Sequence, residues 1–412
     1  MDRRRFIIAG ASLVTAALAV SACGTRTEPG TGTGTGGSGG GTGGGDKVAK
    51  IGVIAPITGD LSAMGIGIRN SVELAIRQAN EKGDLNGWTL EMAAEDDQAQ
   101  PDAGRNAATK LAGDSDVIAV VGPLNSSVGQ ALQPVLSQAG IALVSPANTN
   151  PSLTKGPDLA NPKRTYDNYY RTCTTDDVQG PFAAKYLLDN DIKEVATIHD
   201  KKAYGQGLVT AFTEYFTANG GTIVAAETIN PEDKDFSAVI SKAKEANPKA
   251  VYYGGEYPVA GPMSQQMKGA GLNVPLMGGD GIYDGKFIEL AGPNSNGDLA
   301  TSVGAPVEDL DSAKAFVDAY EAGGFADGYS AYGAYAYDAA NAIIAALKTA
   351  LQDAQDVSSA RKTTIEEIGK VDFDGATGKV AFDEYGDSKA RVLTAYKVED
   401  GKWAAAKTED FQ

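Results

Sequence analysis

Histidine occurs once in the 412 residues, as His199 in the strand end Ile198-His199-Asp200. A histidine-based catalytic triad or a histidine-rich metal site is therefore not expected, and His199 reads as a hydrogen-bonded structural residue. Cysteine occurs twice, at Cys23 and Cys173. Because Cys23 falls in an N-terminal leader, no intramolecular disulfide is expected, and Cys173 reads as a small buried filler. Positive charge is also short: 36 Lys plus Arg against 53 Asp plus Glu give a formal charge of −17, which argues against nucleic acid as a partner. Cofactor loops are missing too. Gly65-Ile66-Gly67 lacks the third glycine of a dinucleotide fingerprint, and no Gly-Lys-Ser phosphate loop follows a strand. Glu95-Asp96-Asp97 has no ligand spacing elsewhere and reads as a solvated turn, so neither a metal nor another cofactor is expected.

The N-terminus, by contrast, is rich in signals. Met1-Asp2-Arg3-Arg4-Arg5 precedes an apolar run of about fifteen residues that ends Ala19-Val20-Ser21-Ala22-Cys23, the pattern of a signal peptide and too short for a stable span. Small residues before Cys23 resemble a bacterial lipobox, which implies a diacylated Cys23 as the mature N-terminus, and the arginines before Phe6 resemble a twin-arginine signal. Removing residues 1–22 takes three arginines and one aspartate, so the charge falls from −17 to −19. Residues 23–46 are mostly Gly, Thr and Ser. Such a tract buries too little to fold and is expected to act as a flexible tether, its Gly-rich core of about 16 residues spanning roughly 20–24 Å.

Beyond Lys47 the chain reads strand then helix, repeatedly, and 42% hydrophobic residues mark it as globular. Strands separated by helices pair in parallel through right-handed crossovers, which gives an α/β fold of doubly wound lobes. The pattern from Ile51 to Pro123 recurs from Val195 to Gly255, and no third core is evident, so two lobes of one architecture are expected: residues 47–172 with 303–388, and 173–302 with 389–412. Lys379–Phe382 and Val392–Lys397 read as a hairpin. Several crossings between lobes make a stiff hinge suited to closing over a cleft.

Ligands of open α/β sheets bind at the carboxyl ends of strands. Val117–Val121 stops at Gly122-Pro123-Leu124-Asn125-Ser126, and Ile141–Val144 stops at Ser145-Pro146-Ala147-Asn148-Thr149. Ser126 would open a helix to Gln138, placing its hydroxyl and the first free amides where a carboxylate could sit, with Thr149 adding a second hydroxyl. Asp280, between glycines past a strand of the second lobe, would oppose them with a fixed negative charge, the polarity of an α-amino acid zwitterion. Tyr204 could supply a flat apolar wall.

Ile198-His199-Asp200-Lys201-Lys202-Ala203-Tyr204-Gly205-Gln206-Gly207, Tyr252-Tyr253-Gly254-Gly255, Ser145-Pro146-Ala147-Asn148-Thr149-Asn150-Pro151 and Lys234-Asp235-Phe236-Ser237 resemble the bacterial leucine/isoleucine/valine-binding proteins, type I periplasmic solute-binding components of ABC importers. The resemblance covers roughly Lys47 to Asp387. It implies a non-enzymatic, monomeric, lipid-anchored binding protein outside the cytoplasmic membrane that hands a neutral amino acid to an ABC permease and its ATPase. It also places the family's ligand residues on Leu124 and Ala147 (main chain), Ser126, Thr149, Tyr204 and Asp280, the last usually Glu. Two departures stand out. The family often has a disulfide whose positions here are Gln98 and Asn125, and the aromatic that usually follows Tyr-Tyr-Gly-Gly is here Glu256. A rim-facing, solvated Glu256 is expected, which leaves Met64 and Tyr204 to favour valine, leucine or isoleucine. A pocket-facing Glu256 would favour alanine, serine or threonine. The rival readings are a sensory module of the same fold, for amino acids, amides or urea, and an exported hydrolase using Asp280 and Glu256 as acid and base.

The anchor is testable. The mature protein is expected to partition into detergent in phase separation and Cys23→Ser to shift it to the aqueous phase; a wild-type protein that stays aqueous would rule the anchor out.

Overall fold

The computed structural model describes residues 47–411. The expected signal peptide, the lipidated Cys23 and the tether of residues 23–46 lie outside the described residues. The first part of the chain runs β1 (Lys47–Ala55), α1 (Ser62–Lys82), β2 (Trp88–Asp96), α2 (Pro101–Ala112), β3 (Val117–Val121), α3 (Ser126–Gln138), β4 (Ala142–Ser145), the short α4 (Ser152–Lys155) and β5 (Tyr169–Arg171). These strands form a sheet of order β2-β1-β3-β4-β5, parallel throughout. Every side chain of β3 and β4 is buried, as strands covered by helices on both faces require.

The second part runs α5 (Asp176–Asp189), β6 (Glu194–His199), α6 (Ala203–Ala218), β7 (Thr222–Thr228), α7 (Ser237–Glu245), β8 (Ala250–Gly254), α8 (Tyr257–Gly269), β9 (Leu276–Gly278), α9 (Gly285–Ala291) and β10 (Leu299–Ser302). Then follow α10 (Lys314–Ala322), α11 (Gly333–Ala350), α12 (Val357–Ile368), β11 (Asp372–Gly375), β12 (Gly378–Ala381), β13 (Val392–Glu399) and β14 (Lys402–Asp410). The second sheet has order β14-β13-β10-β9-β8-β6-β7 and is parallel except where β13 meets β10 and β14. Its core stacks Phe212 on Tyr252 with ring centroids 3.8 Å apart. Helix α11 packs back on α1, α12 and the first sheet, so the chain passes between the two layers three times: after β5, after β10 and after β12.

Three expectations need correction. The hairpin of Lys379–Phe382 with Val392–Lys397 does not form: β12 pairs with β11, and β13 turns through Asp400-Gly401 into β14. The buried carboxylate of Asp338 fixes the first pairing by accepting from Ala376 N and Thr377 N, each at 2.8 Å. The whole of α12 is an addition. Its apolar stripe is weak, and an Asp356–Ser359 capping box starts it. Finally, Glu95-Asp96-Asp97 is not a solvated turn. Asp97 is fully buried, burial pushes its carboxyl up to about 7, and Asp96 accepts from Ile57 N at 2.9 Å, tying the end of β2 to the loop after β1.

Arg171, the last residue of β5, is buried completely. Its Nε donates to Asp387 Oδ1 at 2.7 Å, and one terminal nitrogen donates to the carbonyls of Asn148 at 2.6 Å and Asn150 at 2.9 Å. The guanidinium therefore clamps the loop that carries Thr149 to the segment leading into β13. Arg171→Met would leave the buried Asp387 carboxylate with only Lys155, 3.6 Å away, as a cation. The expected cost is about 3–5 kcal/mol, read as a lower midpoint in urea denaturation, whereas an unchanged midpoint would show that the clamp contributes nothing.

Candidate functional site

The carboxyl ends of β3, β4, β6, β8 and β9 point at one small cavity of about 20 Å³, room for a single water-sized solute. Its walls are Met64 from α1, Leu124, Asn125 and Ser126 at the start of α3, Ala147 after β4, Tyr204 from α6, Glu256 after β8, Asp280 and Gly281 after β9, and Tyr332 before α11. Every residue selected from the sequence is in that wall except Thr149. Thr149 is buried in the loop behind it, and its hydroxyl makes no hydrogen bond.

Helix α3 begins at Ser126 as expected, with Asn125 in the N-cap position and no side chain capping the first turn. The positive end of the helix dipole and its free amides therefore face the cavity. The Ser126 hydroxyl accepts from Asn150 N at 3.4 Å.

Asp280 stands opposite, 2% exposed. Its Oδ1 accepts from Tyr204 OH at 2.7 Å and Gln179 Nε2 at 3.0 Å, and its Oδ2 accepts from Tyr332 OH at 2.8 Å. All three donors are neutral. Burial raises the carboxyl, and the bonds from Gln179, Tyr204 and Tyr332 oppose the rise. Tyr204 is thus not merely an apolar wall, because its hydroxyl also accepts from Gly281 N at 3.0 Å. Two glycines make that reach possible: a Cβ on Gly205 would lie 2.4 Å from Gly254 O, and one on Gly254 would lie 2.1 Å from Gly205 O. Behind Asp280 lies Asp176, fully buried, with the Thr149 hydroxyl near its carboxylate but no hydrogen bond of ordinary geometry. Burial first, and the Asp280 charge second, push its carboxyl well above the ordinary range.

Glu256 is not at a solvated rim. It is 7% exposed; Oε1 accepts from Asn125 Nδ2 at 2.7 Å and Oε2 from Lys202 Nζ at 2.8 Å. A buried carboxylate needs such donors, since burying it unpaired costs several kcal/mol. Lys202 also lies 3.6 Å from Asp200, whose carboxyl is raised to about 7 by burial and by Glu256. Asn125, Tyr332, Gln179 and Lys202 escaped the sequence reading. Asn125 adjoined a selected residue, but nothing local connects Tyr332 or Gln179 to Asp280.

His199 is structural, its Nδ1 accepting from Lys201 N at 3.1 Å. Cys173 is buried and free. No group of metal-ligating side chains and no helix long and apolar enough to cross a membrane is found among the described residues.

The family model "Periplasmic binding protein" matches residues 48–402. The chain belongs to the leucine/isoleucine/valine-binding family of periplasmic binding proteins. Members of this family are solute-binding proteins, and the two-lobed α/β fold described above is the type I fold. The chain is 36% identical over 359 residues to the Leu/Ile/Val-binding protein BraC3 of Rhizobium johnstonii, covering 86% of this chain and 93% of that protein. It is 35% identical to Leu/Ile/Val-binding protein homolog 2 of Brucella abortus, covering 86% and 92%. Among solved structures, the leucine-binding protein LivK of Thermotoga maritima superposes with a TM-score of 0.77 at 29% identity, covering 87% of this chain and 98% of that one. The substrate-binding protein LivJ of Streptococcus pneumoniae, in complex with isoleucine, gives 0.76 at 28% identity, covering 88% and 99%.

The Asp200 carboxyl makes a pH prediction. Its folded value of about 7 lies above its ordinary 3.8, so the folded state holds a proton that the unfolded state releases, and stability falls as pH rises from about 4 to about 7. Asp200→Asn removes that loss. Its melting temperature relative to wild type is expected to climb across this window and level off above it; a pH-independent difference in thermal melts would refute the assignment.

Proposed function

We propose that the chain is an exported, lipid-anchored binding protein that captures a neutral L-amino acid between its lobes and passes it to an ABC permease and its ATPase. One observation carries the reading: the uncapped N-terminus of α3 and the Asp280 carboxylate, held only by neutral donors, face one small cavity. That pairing of a positive dipole end with a buried negative charge suits a zwitterion and little else. The α-carboxylate would take the amides of Leu124 and Ser126 with the Ser126 hydroxyl, the main chain of Ala147 would face the ligand's α-amino end, and Thr149 would supply its hydroxyl once the loop adjusts. The ammonium would take Asp280 and supply the cation that site lacks. Met64 and Leu124 would cover the start of the side chain.

A cavity of about 20 Å³ admits such a ligand only if the lobes part. The lobes we assign are residues 47–172 with 303–388, and 173–302 with 389–412. Three connections between them restrict the motion to a hinge. Contacts that span the cleft include Asn150 Nδ2 to Ala203 O at 2.7 Å and Tyr257 OH to Asp60 O at 2.6 Å, besides Asn125 to Glu256 and Tyr332 to Asp280. A monomer anchored through Cys23 by its Gly-rich tether would hold this cleft beside the membrane. Leucine, isoleucine and valine, which the relatives' names carry, are the first ligands to titrate.

Asp280→Ala should weaken amino-acid binding by about 3–5 kcal/mol, two to three orders of magnitude, whereas Ser126→Ala should lose about 1–3 kcal/mol because the helix amides remain. Calorimetry that shows Asp280→Ala binding like wild type would sink the zwitterion model.

A further inference from the structure

The part of the wall between Leu124 and Glu256 has no counterpart in an aliphatic pocket. Glu256 uses one lone pair of each carboxylate oxygen, for Asn125 Nδ2 at 2.7 Å and Lys202 Nζ at 2.8 Å. A carboxylate only accepts, so Asn125 must turn its NH2 toward Glu256, and this fixes the amide with Oδ1 as the remaining acceptor. That Oδ1 is buried and has no hydrogen-bond partner, on a residue 4% exposed in the cavity wall. Among the donors nearby, one N–H of the Asn125 amide goes to Glu256, and Lys202 goes to Glu256 with Asp200 at 3.6 Å, but none reaches Asn125 Oδ1. This end of the cavity therefore holds an acceptor whose donor is missing.

We infer that the pocket selects a neutral amino acid whose side chain ends in a hydrogen-bond donor, a hydroxyl or a carboxamide, with Asn125 and Glu256 as the specificity-determining residues. The inference rests on the amino-acid reading above and narrows it. An aliphatic side chain would leave the buried Asn125 Oδ1 without a donor, a cost that a donating side chain removes. An acidic side chain would meet Glu256 and Asp200. A cationic side chain would compete with Lys202, which already faces Glu256. A hydroxyl or carboxamide donates to Oδ1 or to a free Glu256 lone pair, while Met64 and Leu124 cover its carbon atoms.

The test is calorimetric titration of the full chain with alanine, threonine, glutamine, leucine and lysine at neutral pH. Threonine or glutamine is expected to bind at least tenfold tighter than leucine, a difference of about 1.4 kcal/mol. Glu256→Met should cut that preference to threefold or less, and Glu256→Gln, which keeps the shape and one acceptor, should fall between. Leucine binding as tightly as both polar ligands, lysine binding tightest, or a preference unmoved in both variants would overturn the inference and leave the amino-acid reading intact. Binding of none of the five would overturn both.

Discussion

A carboxylate that is buried without a cation constrains more of this molecule than any other single group. Asp280 can be kept in the interior only if several dipoles point at it, and the three that do come from α5, α6 and the start of α11. Two of those helices flank the second sheet and the third packs on the first, so the solvation of one side chain fixes where the two layers meet. Gln179 extends the set, because its Oε1 accepts from Asp280 N at 2.8 Å and from Thr301 Oγ1 at 2.7 Å, which ties β10 to the same point. Deleting the charge would relax these bonds, but it would also remove the reason for the site.

The close approach of the strand ends follows from small side chains where the backbones meet. Gly205 and Gly254 let the first turn of α6 touch the end of β8, and Tyr204 reaches Asp280 only from there. On the other layer, Arg171 does by charge what the glycines do by size. It gathers the carbonyls on either side of Thr149 and holds them against Asp387. The loop at the end of β4 is thus held by its backbone carbonyls, with the Thr149 side chain buried behind the cavity wall.

Alternation of apolar strands with helices made both layers legible in the chain, and the start of α3 at Ser126 could be read from the polar residues that follow β3. Less legible were elements whose pairing depends on partners far away. β12 carries no mark that it joins β11 rather than β13; the choice is made by Asp338, a helix residue that hydrogen-bonds the turn. Likewise Asp97 follows two acidic neighbours and looks exposed, yet the packing of α2 and α3 buries it. The residues at strand ends were visible because fold topology gathers them. Tyr332 and Gln179 were not, since a donor to a buried carboxylate can come from any element that passes by.

The resemblance to the family marked two departures as separate oddities, Asn125 where a disulfide cysteine is usual and Glu256 where an aromatic is usual. In the folded chain they are one feature, because the two side chains are hydrogen-bonded to each other across the cleft at 2.7 Å. A cysteine at 125 locked to position 98 would leave a carboxylate at 256 with Lys202 alone. An aromatic at 256 would leave the Asn125 amide with no acceptor. Each of the two side chains thus supplies the other's hydrogen-bond partner, and where the resemblance implies a covalent brace and an aromatic wall this chain has a buried polar bond. A ligand captured as proposed would have to fit around that amide–carboxylate bond or contribute to it.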